Sequence, residues 1–392
     1  MTQQELLESY WLCSIEGLGG ASIRRLLEEA GSPEGVRELS AQRREELIGP
    51  ARAALLERAM EKEAREEAER RLEAFAGKGI RFTPLWSGEY PERLKRIPDP
   101  PAGLYSIGRF PPDSRRAVAI VGARACSGYG REMAQYFARG LAREGVAVIS
   151  GMARGADGIA QQAALAAGGI SAAVLGCGVD ICYPPENRGL YDGLCRTGCV
   201  ISEYPPGTPP HARQFPPRNR IISGLADLVL VIEAREQSGT LITVDMALEQ
   251  GRDVFAVPGR ITDTCSRGCN RLIGNGAGAA VSVSQLLSEL SLGPGEKNGR
   301  SAAVRSRRQL PEEPPPLQEP EKMSLRAAPS LRAALLSVLD VTPKPLDELL
   351  ENLADQGITA SPGAVMQELI GLQLDNRIAS QAGQYLKRDI LP

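Results

Sequence analysis

Apolar runs recur along the middle of the chain at 117–121, 146–150, 172–175, 199–202, 228–232 and 254–257, with another at 279–283. Between them lie stretches of helical spacing at 131–144, 156–167, 217–225 and 240–250. A short continuous apolar run followed by an amphipathic helix predicts a strand buried on both faces. Six or more in succession predict an α/β fold, an extended Rossmann-like parallel sheet with helices on both sides, over 77–292. Ahead of it, Ile80–Trp86 and Gly103–Ile107 read as two strand-like pieces around a Pro-rich turn, an edge extension of that sheet. Residues 1–76 read as helices, with Gly17-Leu18-Gly19 between two apolar segments in a helix–hairpin–helix pattern and 51–75 as one long charged helix. Residues 293–330, rich in Pro, Gly, Ser and charge, predict a disordered linker. Helical periodicity resumes over 331–392 as three helices, the third opened by Ser361-Pro362, and a hairpin, which together describe a winged helix. That third helix holds Glu368 and Asp375 and no basic residue before Arg377, unlike a helix that enters the major groove.

The formal net charge of the 392 residues is −2, which by itself argues against a nucleic-acid partner. Counted by segment, it is −5 over 1–76, +4 over 77–292, +2 over 293–330 and −3 over 331–392. A polyanion would therefore meet the middle segment, and the acidic ends read as interaction modules. No apolar run reaches the roughly 18 residues of a membrane span, and MTQQELLESY has neither a basic start nor an apolar core for export. A cytoplasmic protein is expected. The eight cysteines form no disulfide framework. The pairs Cys177/Cys182, Cys195/Cys199 and Cys265/Cys269 lack C-x₂-C spacing and His211 is the single histidine, so no metal site is expected.

Ligands of open parallel sheets bind beyond the carboxyl ends of the strands, which makes those ends the place to look for chemistry. They read Gly122-Ala-Arg124, leading to Ser127-Gly128; Ser150-Gly151-Met-Ala-Arg154; Gly176-Cys-Gly178; Ser202-Glu203; Glu233-Ala-Arg235, leading to Ser238-Gly239-Thr240; and Pro258-Gly259. Glycine, serine and arginine converging on one edge predict an anion site, since loop amides and a helix N-terminus attract phosphate. The glycines do not spell G-x-G-x-x-G, so no dinucleotide cofactor is expected. For Ser150 and Ser238 the alternative is helix capping.

The segment from Tyr204 to Ile222 is a Pro-stiffened insertion that delivers Arg213, Phe215, Arg218, Asn219 and Arg220 beside a helix start. Arginines supply phosphate forks, Asn can hydrogen-bond a base and an aromatic ring gives a stacking face. The alternative packs Phe215 and Ile221 in the core and pairs one arginine with Glu203 or Glu233.

The runs G-A-R…S-G-Y-G, S-G-M-A-R-G-A-D, V-L-G-C-G-V-D…Y-P-P-E-N, F-P-P-R-N-R-I-I-S-G-L, V-I-E-A…S-G-T-L-I-T and V-F-A-V-P-G closely resemble the DNA-processing protein A (DprA/Smf) family. The match is dense from about 80 to 290. A helix–hairpin–helix/SAM-like start and a C-terminal winged helix, both found in that family, extend it over most of the chain. The resemblance implies a homodimeric single-stranded DNA binder that protects incoming strands in natural transformation and loads a RecA-type recombinase on them. Arg124, Phe215, Arg218 and Arg220 would line the DNA pocket. Three positions depart from the family pattern: Ala123 replaces a serine, Ala156-Asp157 an Ile-Asp, and Gln161 a histidine.

Two other function classes compete. The sheet also resembles phosphoribohydrolases that use P-G-G-x-G-T-x-x-E, but here Thr243 stands where their catalytic glutamate would be, so no enzyme and no catalytic residue are expected. A sensor of a small nucleotide, with the tail module binding partners, is the other.

Overall fold

The computed structural model describes residues 1–291 and, within 331–387, all but 341–342, 356, 359, 376 and 382–383. The linker expected at 293–330 lies outside the described residues. The chain divides into two compact units, Met1–Leu310 and Pro311–Pro392.

The first unit is built on a nine-stranded sheet of β1 (Arg81–Pro84), β2 (Gly103–Gly108), β3 (Ala117–Val121), β4 (Ala147–Ser150), β5 (Ser171–Val174), β6 (Cys199–Ser202), β7 (Leu228–Val231), β8 (Asp253–Ala256) and β9 (Gly278–Ala279). Their order is β1-β2-β6-β5-β4-β3-β7-β8-β9. All pairings from β6 to β9 are parallel, and β1 and β2 add an antiparallel edge.

Strand periodicity sorts the core into two layers. Ala119, Val121, Val229 and Val231 face one side, against Ile221 and Ile222 of the helix Phe215–Gly224 and Val244 and Ala247 of the helix Thr240–Glu249. Val118, Ile120 and Leu230 face the other, against Phe137 and Leu141 of the helix Gly128–Arg143 and Ala160 and Ala164 of the helix Ala156–Ala166. With both faces covered, β3 and β7 have no exposed residue, which is why they read as unbroken apolar runs.

Residues 1–76 have no core apart from the sheet. Tyr10 and Trp11 of the helix Gln3–Ser14 share one cluster with Phe82, Tyr105, Ala173, Leu175 and Val200. The single helix expected over 51–75 is two, Pro50–Ala59 and Lys62–Gly77. The Trp11 indole N–H donates to the Ala59 carbonyl at 2.6 Å, and Glu61 is extended at φ −59°, ψ 146°. A tertiary hydrogen bond thus takes the carbonyl that ends the first helix, a break no Gly or Pro announces.

The second unit holds the helices Leu331–Val338, Leu346–Asp355 and Pro362–Leu374 around Leu335, Leu349 and Leu369. A three-stranded antiparallel sheet of β10 (Lys344–Pro345), β12 (Gln384–Lys387) and β11 (Ile378–Gln381) completes it. Ser361 caps the third helix, accepting from the Ala364 amide. Among the described residues, no helix is long and apolar enough to cross a membrane.

Candidate nucleic-acid interface

The chain order of the parallel strands reverses at β3 and β7, which are neighbours. Their carboxyl ends, with that of β4, bring together the loops after 121, 150 and 231. The first two loops touch: the Ala156 amide donates to the Ala123 carbonyl at 3.1 Å. Gly155 makes this possible, since its φ is +73° and a Cβ there would collide with the Ala123 and Arg124 carbonyls.

Much of the polarity expected to face a ligand faces inward instead. Ser150 is fully buried and donates to the Ile120 carbonyl at 2.6 Å, neither a phosphate donor nor a helix cap. The buried Gly151 amide donates to Asp157 at 3.1 Å, and the Met152 amide to Gln161 Oε1 at 3.0 Å. Gln161 in turn donates a hydrogen bond through Nε2 to the Ala172 carbonyl at 3.0 Å. The loop after β4 is therefore tied to its own helix and to β5, with Met152 held at φ +53°. Asp157, which keeps the family pattern, and Gln161, which stands where that pattern has a histidine, are both parts of this brace.

Arg218 lies beneath it. Only 5% exposed, it donates through Nη1 to the Gly151 carbonyl at 2.9 Å and to the Val174 carbonyl at the end of β5. Burial lowers its pKa to about 10; Asp157 opposes that shift and the nearby charge of Arg124 adds to it. Burial likewise raises the pKa of Asp157, against the pull of Arg218 and the Gly151 N–H. Asn219 accepts from Arg218 Nε at 3.3 Å. Arg220 grips Glu203 with both terminal nitrogens at 2.8 and 2.6 Å and the Asp99 carbonyl through Nε at 2.9 Å. Burial alone would lower its pKa, but the Glu203 pairing outweighs it and raises it. The arginines of F-P-P-R-N-R are braces, and the Glu203 pairing weighed in the sequence is made by Arg220.

The rim is different. Arg124, Arg213 and Arg235 are exposed, and their guanidinium groups have no hydrogen-bond or ion-pair partner among the described residues. Arg154 is exposed but paired with Glu186. Phe215 is half-buried outside the main core clusters and stacks on Tyr183, ring centroids 5.5 Å apart at 26°. Gly176, where a Cβ would sit 2.8 Å from the ring, and the Arg218 guanidinium, 5.9 Å from the ring centroid, also border it. Tyr183 is 42% exposed. Ser127 caps the helix Gly128–Arg143 by accepting from the Gly130 amide at 3.0 Å, and donates its own hydroxyl to the buried Glu233 at 2.5 Å. Gly128 is exposed, while Gly122 is half-buried with Ala156 2.7 Å from any Cβ. Beyond β7, the Ser238 hydroxyl accepts from the Thr240 amide at 3.2 Å and donates to the Thr240 hydroxyl at 3.1 Å, a local turn and not a helix cap, since the exposed Gly239 holds the N-cap position. The edge thus offers free cations and an exposed aromatic face above a floor whose polar groups are spent.

The family model for DNA recombination-mediator protein A matches residues 81–291. This chain belongs to that family. DNA processing protein DprA of Bacillus subtilis is 41% identical over 220 residues, 56% of this chain and 74% of that protein. DNA processing protein DprA of Streptococcus pneumoniae is 44% identical over 200 residues, 51% of this chain and 71% of that one. The solved structure of DNA processing protein A from the same organism superposes with a TM-score of 0.64 at 34% identity, covering 73% of this chain and 99% of that one. Within this recombination-mediator fold, Thr243 is buried in the helix Thr240–Glu249. Among the described residues no three His, Cys, Asp or Glu side chains are grouped to hold a metal ion, and all eight cysteines are free.

Two contacts of this edge are not visible in the sequence: Tyr183 with Phe215, and Glu233 with Ser127 where an arginine partner was weighed. Tyr183 lies in the Y-P-P-E-N run, but nothing in the run shows that it meets Phe215, 32 positions further on. Glu233 was visible as an acid closing the apolar run LVLVIE, a placement that calls for a buried donor.

Proposed function

We propose that this protein binds single-stranded DNA along the carboxyl edge of its sheet, with little sequence preference, as a recombination mediator. The observation that carries the reading is the rim: Arg124, Arg213 and Arg235 without protein partners, beside the stacked Phe215 and Tyr183. Guanidinium groups would take phosphates and an aromatic face would take bases, the usual division of labour in strand binders. Membership of a family described as a DNA recombination mediator supports the same role. On this reading the protein protects the strand and loads a RecA-type recombinase as a homodimer, without enzymatic turnover or metal. The test is affinity for an oligothymidine across salt concentrations. A steep loss with salt and weak binding of blunt duplex are expected; a flat salt response or equal affinity for duplex would overturn the proposal.

We further read the second unit as a winged helix that serves protein contacts. The helix Pro362–Leu374 carries Glu368 and no Lys or Arg. Removing 331–392 should leave strand affinity within about threefold, a change of less than about 1 kcal/mol, whereas a large loss would put that unit on DNA.

A further inference from the structure

In doubly wound sheets a ligand's phosphate sits where the strand order reverses, on the N-terminus of the helix that follows the first strand. Here that seat is the start of the helix Gly128–Arg143, and a protein anion already occupies it. Glu233, 2% exposed, crosses from the end of β7. Its Oε2 accepts the Ser127 amide at 3.0 Å and its Oε1 the Ser127 hydroxyl at 2.5 Å. No Lys or Arg of the described residues forms an ion pair with it, so the helix end and the Ser127 donors answer its charge. The fit is close, because a Cβ at Gly130 would run into Glu233 Oε2 and one at Gly122 would meet the Glu233 amide nitrogen at 3.3 Å.

We propose that Glu233 is a specificity-determining residue: it fills the phosphate seat with the protein's own carboxylate, so that the crevice refuses phosphates of free nucleotides. A phosphate brought to the Gly128 and Tyr129 amides would lie against this carboxylate, and like charges set side by side in a partly buried site are strongly disfavoured. Arg124, outside the seat on the same loop, keeps its cation free. The corollary that strand phosphates use the rim rests on the strand-binding reading above; the exclusion of phosphate from the seat does not.

The experiment titrates full-length protein with inorganic phosphate, ATP and oligothymidine by calorimetry, for the native chain, Glu233→Gln and Glu233→Ala. The native chain should show no saturable phosphate uptake at millimolar concentration. Glu233→Gln, which keeps the shape and removes the charge, should bind inorganic phosphate at least about tenfold more tightly, and Glu233→Ala should also gain. Saturable phosphate or ATP binding by the native chain that survives Arg124→Ala would overturn the proposal, whether or not the variants fold. Folded variants with no gain would overturn it too. Failure of the native chain to bind oligothymidine would remove the strand-binding reading and leave a phosphate gain in Glu233→Gln standing.

Discussion

The arginines of the F-P-P-R-N-R segment and those of the rim stand at one edge of one sheet and do opposite work. Arg218 and Arg220 give their donors to the carbonyls of Gly151, Val174 and Asp99 and to Glu203. Arg124, Arg213 and Arg235 give theirs to nothing in the described protein. A buried guanidinium without partners would be costly, so depth converts arginine into scaffold. Exposure leaves it free for an incoming anion. The difference teaches that the most distinctive motif of the sequence shapes the edge, while plainer residues present it.

The sharpest way to break this contrast is Arg218→Met. It should strand two carbonyls and the buried Asp157, at a cost of about 3–5 kcal/mol in denaturant unfolding. A variant of native stability that fails to bind DNA would instead make Arg218 a ligand contact. Arg124→Ala should do the reverse, leaving stability within about 0.5 kcal/mol and weakening oligothymidine binding by about 1.5–3 kcal/mol. Its salt slope should flatten by about one unit, which titrations at several ionic strengths would read.

Phe215 stands between the two sets, and Phe215→Ala sharpens the comparison. A base stacked on the ring predicts a loss of about 1–3 kcal/mol in affinity with the salt slope unchanged. If only the melting temperature falls and binding per folded molecule holds, the ring belongs with the braces. The smallest effect concerns Asp157. Its pKa is raised by burial, so folding takes up a proton there. Its contribution to stability falls as pH rises from the ordinary Asp value of about 4 through the raised one. Unfolding measured across the acidic range should therefore show native-minus-Asp157→Asn stability declining with pH; a difference that rises would reverse the assignment.

The sheet was legible because its strands are buried on both faces. The run at 117–121 coincides with β3 and that at 199–202 with β6, and the others fall within a few residues. The site was legible only as an address. Composition at strand ends pointed to the right edge, yet Ser150 and Arg218 carry the residue types of ligand contacts and act as interior braces. Sequence shows which donors exist; whether a carbonyl such as that of Val174 reaches them first depends on packing between segments 44 positions apart. The break after Ala59 was hidden for the same reason, since its cause is Trp11.

Trp11 belongs to a cluster that runs unbroken from the N-terminal helices to Val200 in β6, the third strand from the edge of the sheet. Recombination-mediator motifs begin near residue 81, so a map of the gene draws a boundary there; the thermodynamics of the molecule do not. Helices and sheet that own their apolar contacts jointly must lose them jointly. Heating the first unit should give one calorimetric transition whose van't Hoff and measured enthalpies agree, and amide exchange in the helix Gln3–Ser14 should slow and quicken in step with that in β5.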